Sequence, residues 1–132
     1  MASLIDLFRQ IVERGFYRGD LSVADEICSD ALIEHEYLAP NATGADILKG
    51  QITAARSSVE GLQLSIEEYV ESGDKIWVRM RARGKEVRSG KPVNFYVFDV
   101  CRFKDGRLIE HWGVPDRFAL LHQAGALPPV TS

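Results

Sequence analysis

The sequence predicts an α+β domain in which helices come first and an antiparallel sheet follows. Apolar residues recur at three- and four-residue steps through the first half of the chain. From Leu62 onward they alternate with polar ones, and Gly-Asp and Asp-Gly pairs punctuate the alternating runs. A period near 3.6 followed by a period of two is the pattern of helices laid over one face of an antiparallel meander. At 132 residues, without internal repeat, low-complexity tract or linker, residues 1–132 read as a single domain.

Leu4, Ile5, Phe8, Ile11, Val12 and Phe16 form one face of a first helix running to about Tyr17, where Gly19 and Asp20 stop it. Ser22 is placed to cap a second helix with Val23, Ile27 and Ala31 turned inward. A connector, 34–44, carries Pro40 and Gly44. The third helix spans about Ala45 to Val59, with Ile47, Leu48, Ile52 and Ala55 on one stripe, and Gly61 ends it. Leu62, Leu64 and Ile66 alternate, as do Ile76, Val78 and Met80, with Gly73-Asp74 turning between the runs. Asn94 to Phe103 is rich in aromatic and β-branched residues, and Asp105-Gly106 turns it into Leu108–Val114. Phe118, Leu120, Leu121 and Ala124 suggest a short closing helix finished by Gly125 and Pro128.

The register of that last hairpin decides which side chains share a face. A two-residue turn pairs Lys104 with Arg107 and gathers Asp99, Glu110 and Asp116 on one face without a positive partner. A three-residue loop, with Gly106 left-handed, pairs Phe103 with Arg107 and sets Asp99 opposite His111, with Arg102 diagonal to Glu110. Opposite charges across strands help by roughly 0.2–1 kcal/mol and like charges cost a similar amount, so the three-residue loop is favoured. Tyr96, Phe98, Trp112 and Val114 then share one face, and Val97, Asp99, Cys101, His111 and Gly113 the other. Both faces are too apolar to meet water, so one is expected to pack on helices and pocket and the other on a second subunit as a homodimer.

Composition narrows the function classes. Hydrophobic residues make up 45% and charged residues 27%, and the formal charge is −3, with acids and bases interspersed. No basic stripe invites nucleic acid, and no apolar run suggests a membrane span. The N-terminus lacks a signal-peptide pattern, and Cys28 and Cys101 sit in apolar surroundings as buried free thiols, so a cytoplasmic protein is expected. No metal-ligand cluster, phosphate loop or nucleophile elbow is present, and neither metal nor cofactor is expected.

Lys104 to Asp116, Lys-Asp-Gly-Arg-Leu-Ile-Glu-His-Trp-Gly-Val-Pro-Asp, followed by Leu-Leu-His-Gln-Ala-Gly-Ala-Leu-Pro, resembles the SnoaL-like polyketide cyclase (ester cyclase) family of the nuclear-transport-factor-2-like superfamily. The resemblance covers nearly the whole chain. It implies a cystatin-like cone, a curved sheet enclosing one apolar pocket. It also implies that an Asp near the end of the last strand, matched here by Asp116, acts as acid/base in an intramolecular aldol closure. Limonene epoxide hydrolases, similar in overall pattern, need a further Asp beside an Arg, and Lys75–Arg81 here contains no acid. Ketosteroid isomerases use a Tyr from the first helix, for which Tyr17 is a match, but the connector offers His35 and Tyr37 in place of an Asp base.

On this reading Asp116 and His35 are the catalytic candidates, and Trp112, Tyr37, Tyr96, Asn94 and Tyr17 the candidates for binding a small hydrophobic substrate. Each has a plainer role. Asp116 after Pro115 suits the N-cap of the closing helix, and His35 can bond to Glu34, Glu36 or backbone. His111 opposite Asp99 reads as a structural ion pair, His122 as a partner of its helix's C-terminal dipole, and the aromatics as core. Arg79, Arg81, Arg83, Lys85 and Arg88 read as a solvated edge. The expected function is a cofactor-free cyclase, lyase or isomerase for a small, apolar, carbonyl-bearing compound such as a polyketide intermediate. The alternative is a non-catalytic ligand-binding or dimerisation module on the same fold.

Overall fold

A computed structural model describes residues 2–36 and 41–128. Tyr37 lies outside the described residues. Helix α1 (Leu4–Gln10) is capped by the Ser3 hydroxyl, which accepts from the Asp6 N–H at 3.3 Å. It runs on into π-helical turns over Ile11–Tyr17. The widened turns leave carbonyls of Phe16 and Tyr17 to accept from the Arg56 guanidinium at 2.9 and 2.6 Å. Helix α2 (Ser22–Ile27), strand β1 (Cys28–Glu34) and helix α3 (Ala45–Ser58) follow. The strands β2 (Val59–Ser72), β3 (Lys75–Glu86), β4 (Pro92–Lys104) and β5 (Arg107–Pro115) form the meander, and α4 (Arg117–Gln123) closes it.

The five strands make one sheet in the order β1-β5-β4-β3-β2. The meander is antiparallel throughout, and β1 joins it parallel to β5. The helices α1, α2 and α3 cover one face, where Phe8, Val23, Ile27, Leu48, Ile52, Ile76, Val78 and Met80 pack as the core. Register shifts in β2 between Glu60 and Gln63 and between Ile66 and Glu68 curve the sheet, which stays open. The opposite face leaves Val70, Trp77, Tyr96, Phe98 and Val114 exposed.

The helix-then-strand reading holds with four corrections. The second helix stops at Ile27, and Ala31, expected inward on it, lies in β1. Pairing with β5 gives the backbone of Cys28–Glu34 a ladder partner, which local periodicity does not register. Ser22 does not cap α2: its own N–H donates to Asp20 Oδ1 at 3.0 Å. Gly61 is a left-handed residue (φ 66°) at the β2 bulge, past a helix that ends at Ser58. The Arg79–Arg88 run lies mostly on β3, an inner strand, and its outward guanidiniums pair with Glu67 and Glu68.

The hairpin combines both expected registers. The turn is the two-residue one, Lys104 opposite Arg107, with Asp105 (φ 52°) and Gly106 (φ 76°) both left-handed. A bulge at Ile109 then shifts the pairing so that Phe103 meets Leu108 but Arg102 meets Glu110. Beyond the bulge the faces are those expected of the three-residue loop, with Asp99 now opposite Gly113. Leu108 moves to the inner face with Phe103, where it is buried.

Candidate active site

Between the helices and the sheet lies a cavity of about 500 Å³. Its walls are apolar: Phe8, Val12 and Phe16 from the first helix, Leu48 and Ala55 from α3, and Leu64, Met80, Phe95 and Val97 from the sheet. Its polar lining includes Glu34, Glu36, Gln51, Asp99, His111 and Arg117. A dry wall with a few converging polar groups is the usual form of a small-molecule site.

Strand alternation carries these groups inward. On β1, Leu32 and Glu34 turn to the cavity while Ile33 is exposed, and Glu36 continues the two-residue step just past the strand. On β4 the step runs Phe95, Val97, Asp99 and Cys101, and on β5 it runs His111, Gly113 and Pro115. Gln51 stands on α3 beside Leu48 and Ile52, and Arg117 opens α4.

His111 is held from both sides. Its Nδ1 donates to Glu34, 2.7 Å from Oε1 and 2.8 Å from Oε2, and its Nε2 donates to Asp99 Oδ1 at 3.1 Å. Burial alone would strip the proton from this imidazole, but the adjoining carboxylates of Asp99 and Glu34 outweigh it and push the pKa up to about 10. The ring is therefore an imidazolium at neutral pH, donating at both nitrogens. Glu34 answers in the opposite direction: burial raises it, and the bonds from His111, the Glu36 N–H and Gln51 bring it below the ordinary carboxylate value. Its oxygens are fully engaged, by His111, by Gln51 Nε2 at 2.6 Å, and by the backbone N–H groups of His35 and Glu36.

Glu36 accepts from Gln51 at 3.0 Å and from Arg117. Burial, helped by the neighbouring Glu34 charge, raises its pKa despite Arg117. Asp99 differs from both glutamates. Oδ1 accepts from His111, and among the described residues no hydrogen bond reaches Oδ2. Asp99 therefore combines a neighbouring cation, a place on the cavity wall and an oxygen with lone pairs to spare. Among the described residues no group of three His, Cys, Asp or Glu side chains is arranged to hold a metal ion.

Of the residues expected at the site, those that the structure describes lie away from this cavity. Asp116 is exposed, caps α4 through Oδ1 accepting from the Ala119 N–H at 3.0 Å, and does not line the cavity. His35 faces the other side of the sheet, where its ring stacks on Trp112 at 4.7 Å and its Nε2 pairs with Glu110 at 2.8 Å. The structure thus keeps Asp116 and His35 apart, each engaged with its own partners. Tyr96 and Trp112 also sit on that outward face because the alternation of β4 and β5 turns them away from Asp99 and His111. Asn94 ties β4 to α4 by exchanging backbone–side-chain bonds of 2.7 and 2.8 Å with Gln123. Tyr17 is 60% exposed at the end of the π-helical turns. Glu34, Glu36, Gln51 and Arg117 went unread in the sequence as site residues. The alternation Leu32-Ile33-Glu34-His35-Glu36 is the one signal in the sequence that marks the glutamates, because it places two acids in line with an inward leucine.

Helices folded over one face of a curved, open sheet, with an apolar cavity between them, make a cone fold of the nuclear-transport-factor-2-like type. Within that class the chain belongs to the SnoaL-like polyketide cyclase family, whose model matches residues 6–124. No curated protein matches the chain. Solved structures share the fold at low identity. TsrD from Streptomyces laurentii superposes with a TM-score of 0.83 at 24% identity, covering 94% of this chain and 96% of that one. IdmH from Streptomyces antibioticus gives 0.80 at 23%, covering 92% and 97%. A protein of ketosteroid isomerase-like fold from Catenulispora acidiphila, solved with trimethylamine, gives 0.79 at 12%, covering 96% and 100%. Among the described residues no helix is long and apolar enough to cross a membrane.

Proposed function

We propose that the protein is an acid/base catalyst for a small, largely apolar, carbonyl-bearing compound, with Asp99 in the role that the family resemblance offers to Asp116. One observation carries the reading: Asp99 lines the cavity with Oδ2 uncommitted among the described residues, while Oδ1 is anchored by an imidazolium. A fixed carboxylate in an apolar cavity is equipped to take a proton from the carbon beside a carbonyl. In an aldol-type closure that carbon then adds to a second carbonyl of the same molecule. The oxygen so formed receives the proton Asp99 holds, so one carbon–carbon bond forms and the carboxylate is regenerated. His111 and Glu34 keep Asp99 oriented, and Arg117 and Glu36 line the cavity where they can meet the substrate's oxygens.

The test is proton exchange at carbon. An apolar bicyclic ketone such as α-tetralone is incubated in heavy water with the wild type, D99N and D116N, and deuterium entry beside the carbonyl is followed by NMR. Wild type and D116N are expected to accelerate exchange alike. D99N is expected to lose a factor of about 10²–10⁴, the usual worth of a positioned general base. Equal exchange by wild type and D99N sinks the assignment and leaves a ligand-binding module as the better description.

A further inference from the structure

Gly113 stands directly opposite Asp99 in the β4–β5 ladder and lines the cavity. Its backbone does not require glycine, since its φ is not among the positive ones. Space does. A Cβ built at position 113 falls 2.8 Å from His111 Cε1, 3.3 Å from His111 Nε2 and 2.9 Å from Asp99 Oδ1. Two of those atoms are the donor and acceptor of the His111–Asp99 hydrogen bond. By contrast, Gly15 is crowded by Ile52 and Val23, and Gly84 by Val59 and the backbone of Glu60 and Gly61, as ordinary packing demands.

The reason lies in strand geometry. His111 pairs directly with Cys101, so Asp99 is its diagonal neighbour, and diagonal positions across an antiparallel pair are ~7–8 Å apart. To bond Asp99 the imidazole must lie down along β5, over the next inward-facing position. That position is 113, and any side chain there occupies the place the ring needs. Glu34, reaching in from β1, holds the ring's other nitrogen and so fixes it in this lowered pose.

We propose that Gly113 is a positioning residue of the site: its missing side chain is the seat of the His111 ring and sets the direction in which Asp99 presents its second oxygen to the cavity. The catalytic consequence rests on the reading of Asp99 as the base; the geometric claim does not.

The experiment is a titration of His111 by nitrogen-detected NMR in wild type, G113A, D99N and D99N/G113A. Asp99, Glu34 and Glu36 are the acids that face this ring, and Cys101 stands opposite it. In wild type the midpoint is expected near 10. G113A is expected to lower it by about one unit or more, because the ring is pushed off Asp99. In the D99N background, where the charge is already gone, the same substitution is expected to shift it far less, as coupled neighbours require. Ketone exchange by G113A is expected to fall roughly tenfold or more in kcat with KM little changed, as for misplacement of a reacting group. An unchanged His111 midpoint in G113A overturns the proposal, as does an equal drop with and without Asp99. Should G113A fail to fold, H111Q/G113A removes the ring that the added Cβ meets; a double variant as stable as H111Q supports the proposal, and one that unfolds where H111Q folds overturns it. Normal exchange by D99N alongside the expected titration removes Asp99 as the base but leaves Gly113 as the seat of the ring.

Discussion

His111 and Glu34 stand opposite each other in the sheet's parallel strand pair, with Nδ1 of one 2.7 Å from Oε1 of the other. The Glu34 side chain is 4% exposed and that of His111 13%. This ion pair ties the edge strand β1 to β5, while Gln51 ties the same carboxylate to α3. The acid that orients the cavity's imidazolium is also a clasp between strand, sheet and helix.

The clasp makes stability fall with rising pH. His111 has a folded pKa of about 10 against an ordinary value of 6.5, so the folded state binds its proton more tightly than the unfolded state. The stabilisation is complete below about pH 6.5 and is lost as pH rises through about 10. Urea unfolding between pH 6.5 and about 8.5, below the ordinary thiol range, should show a decline of at most ~1.4 kcal/mol per pH unit. In H111Q the profile over that window should be close to flat. A wild-type curve as flat as the variant's contradicts a doubly bonded imidazolium.

Asp116 should matter to the closing helix. D116A removes the oxygen that accepts from Ala119 and is expected to cost about 1 kcal/mol in chemical denaturation, the typical worth of an N-cap. Its ketone exchange should stay close to wild type. Loss of exchange without loss of stability would return Asp116 to the reaction.

The outward sheet face should carry a second copy of the chain. Trp77, Tyr96, Phe98 and Val114 are 43%, 39%, 52% and 66% exposed on this one face, and grouped exposed apolar side chains are where proteins pair. Sedimentation equilibrium is expected to give a dimer for the wild type and a monomer for F98E/V114E. A monomeric wild type rules the pairing out.

Much of the fold was legible because it follows from local rules. Ile47, Leu48 and Ile52 mark α3, the alternation of Ile76, Val78 and Met80 marks β3, and Asp105-Gly106 marks the hairpin. Each signal depends on residues within a few positions of one another. The family motif around His111 and Trp112 was legible for the same reason, being contiguous.

The site was less legible because its side chains come from β1, β4, β5, α3 and α4 and meet through space. Two tertiary events decided it. Parallel pairing with β5 drew Cys28–Glu34 out of its helical appearance and aimed Glu34 at His111. The bulge at Ile109 then moved Leu108 inward while keeping Asp99 and His111 on one face, and the helices packed onto that face. The sequence by itself determined which residues alternate and where the chain turns, since backbone sterics act locally. Which face becomes the cavity depends on what the helices cover, and that is settled only when distant apolar surfaces leave water together.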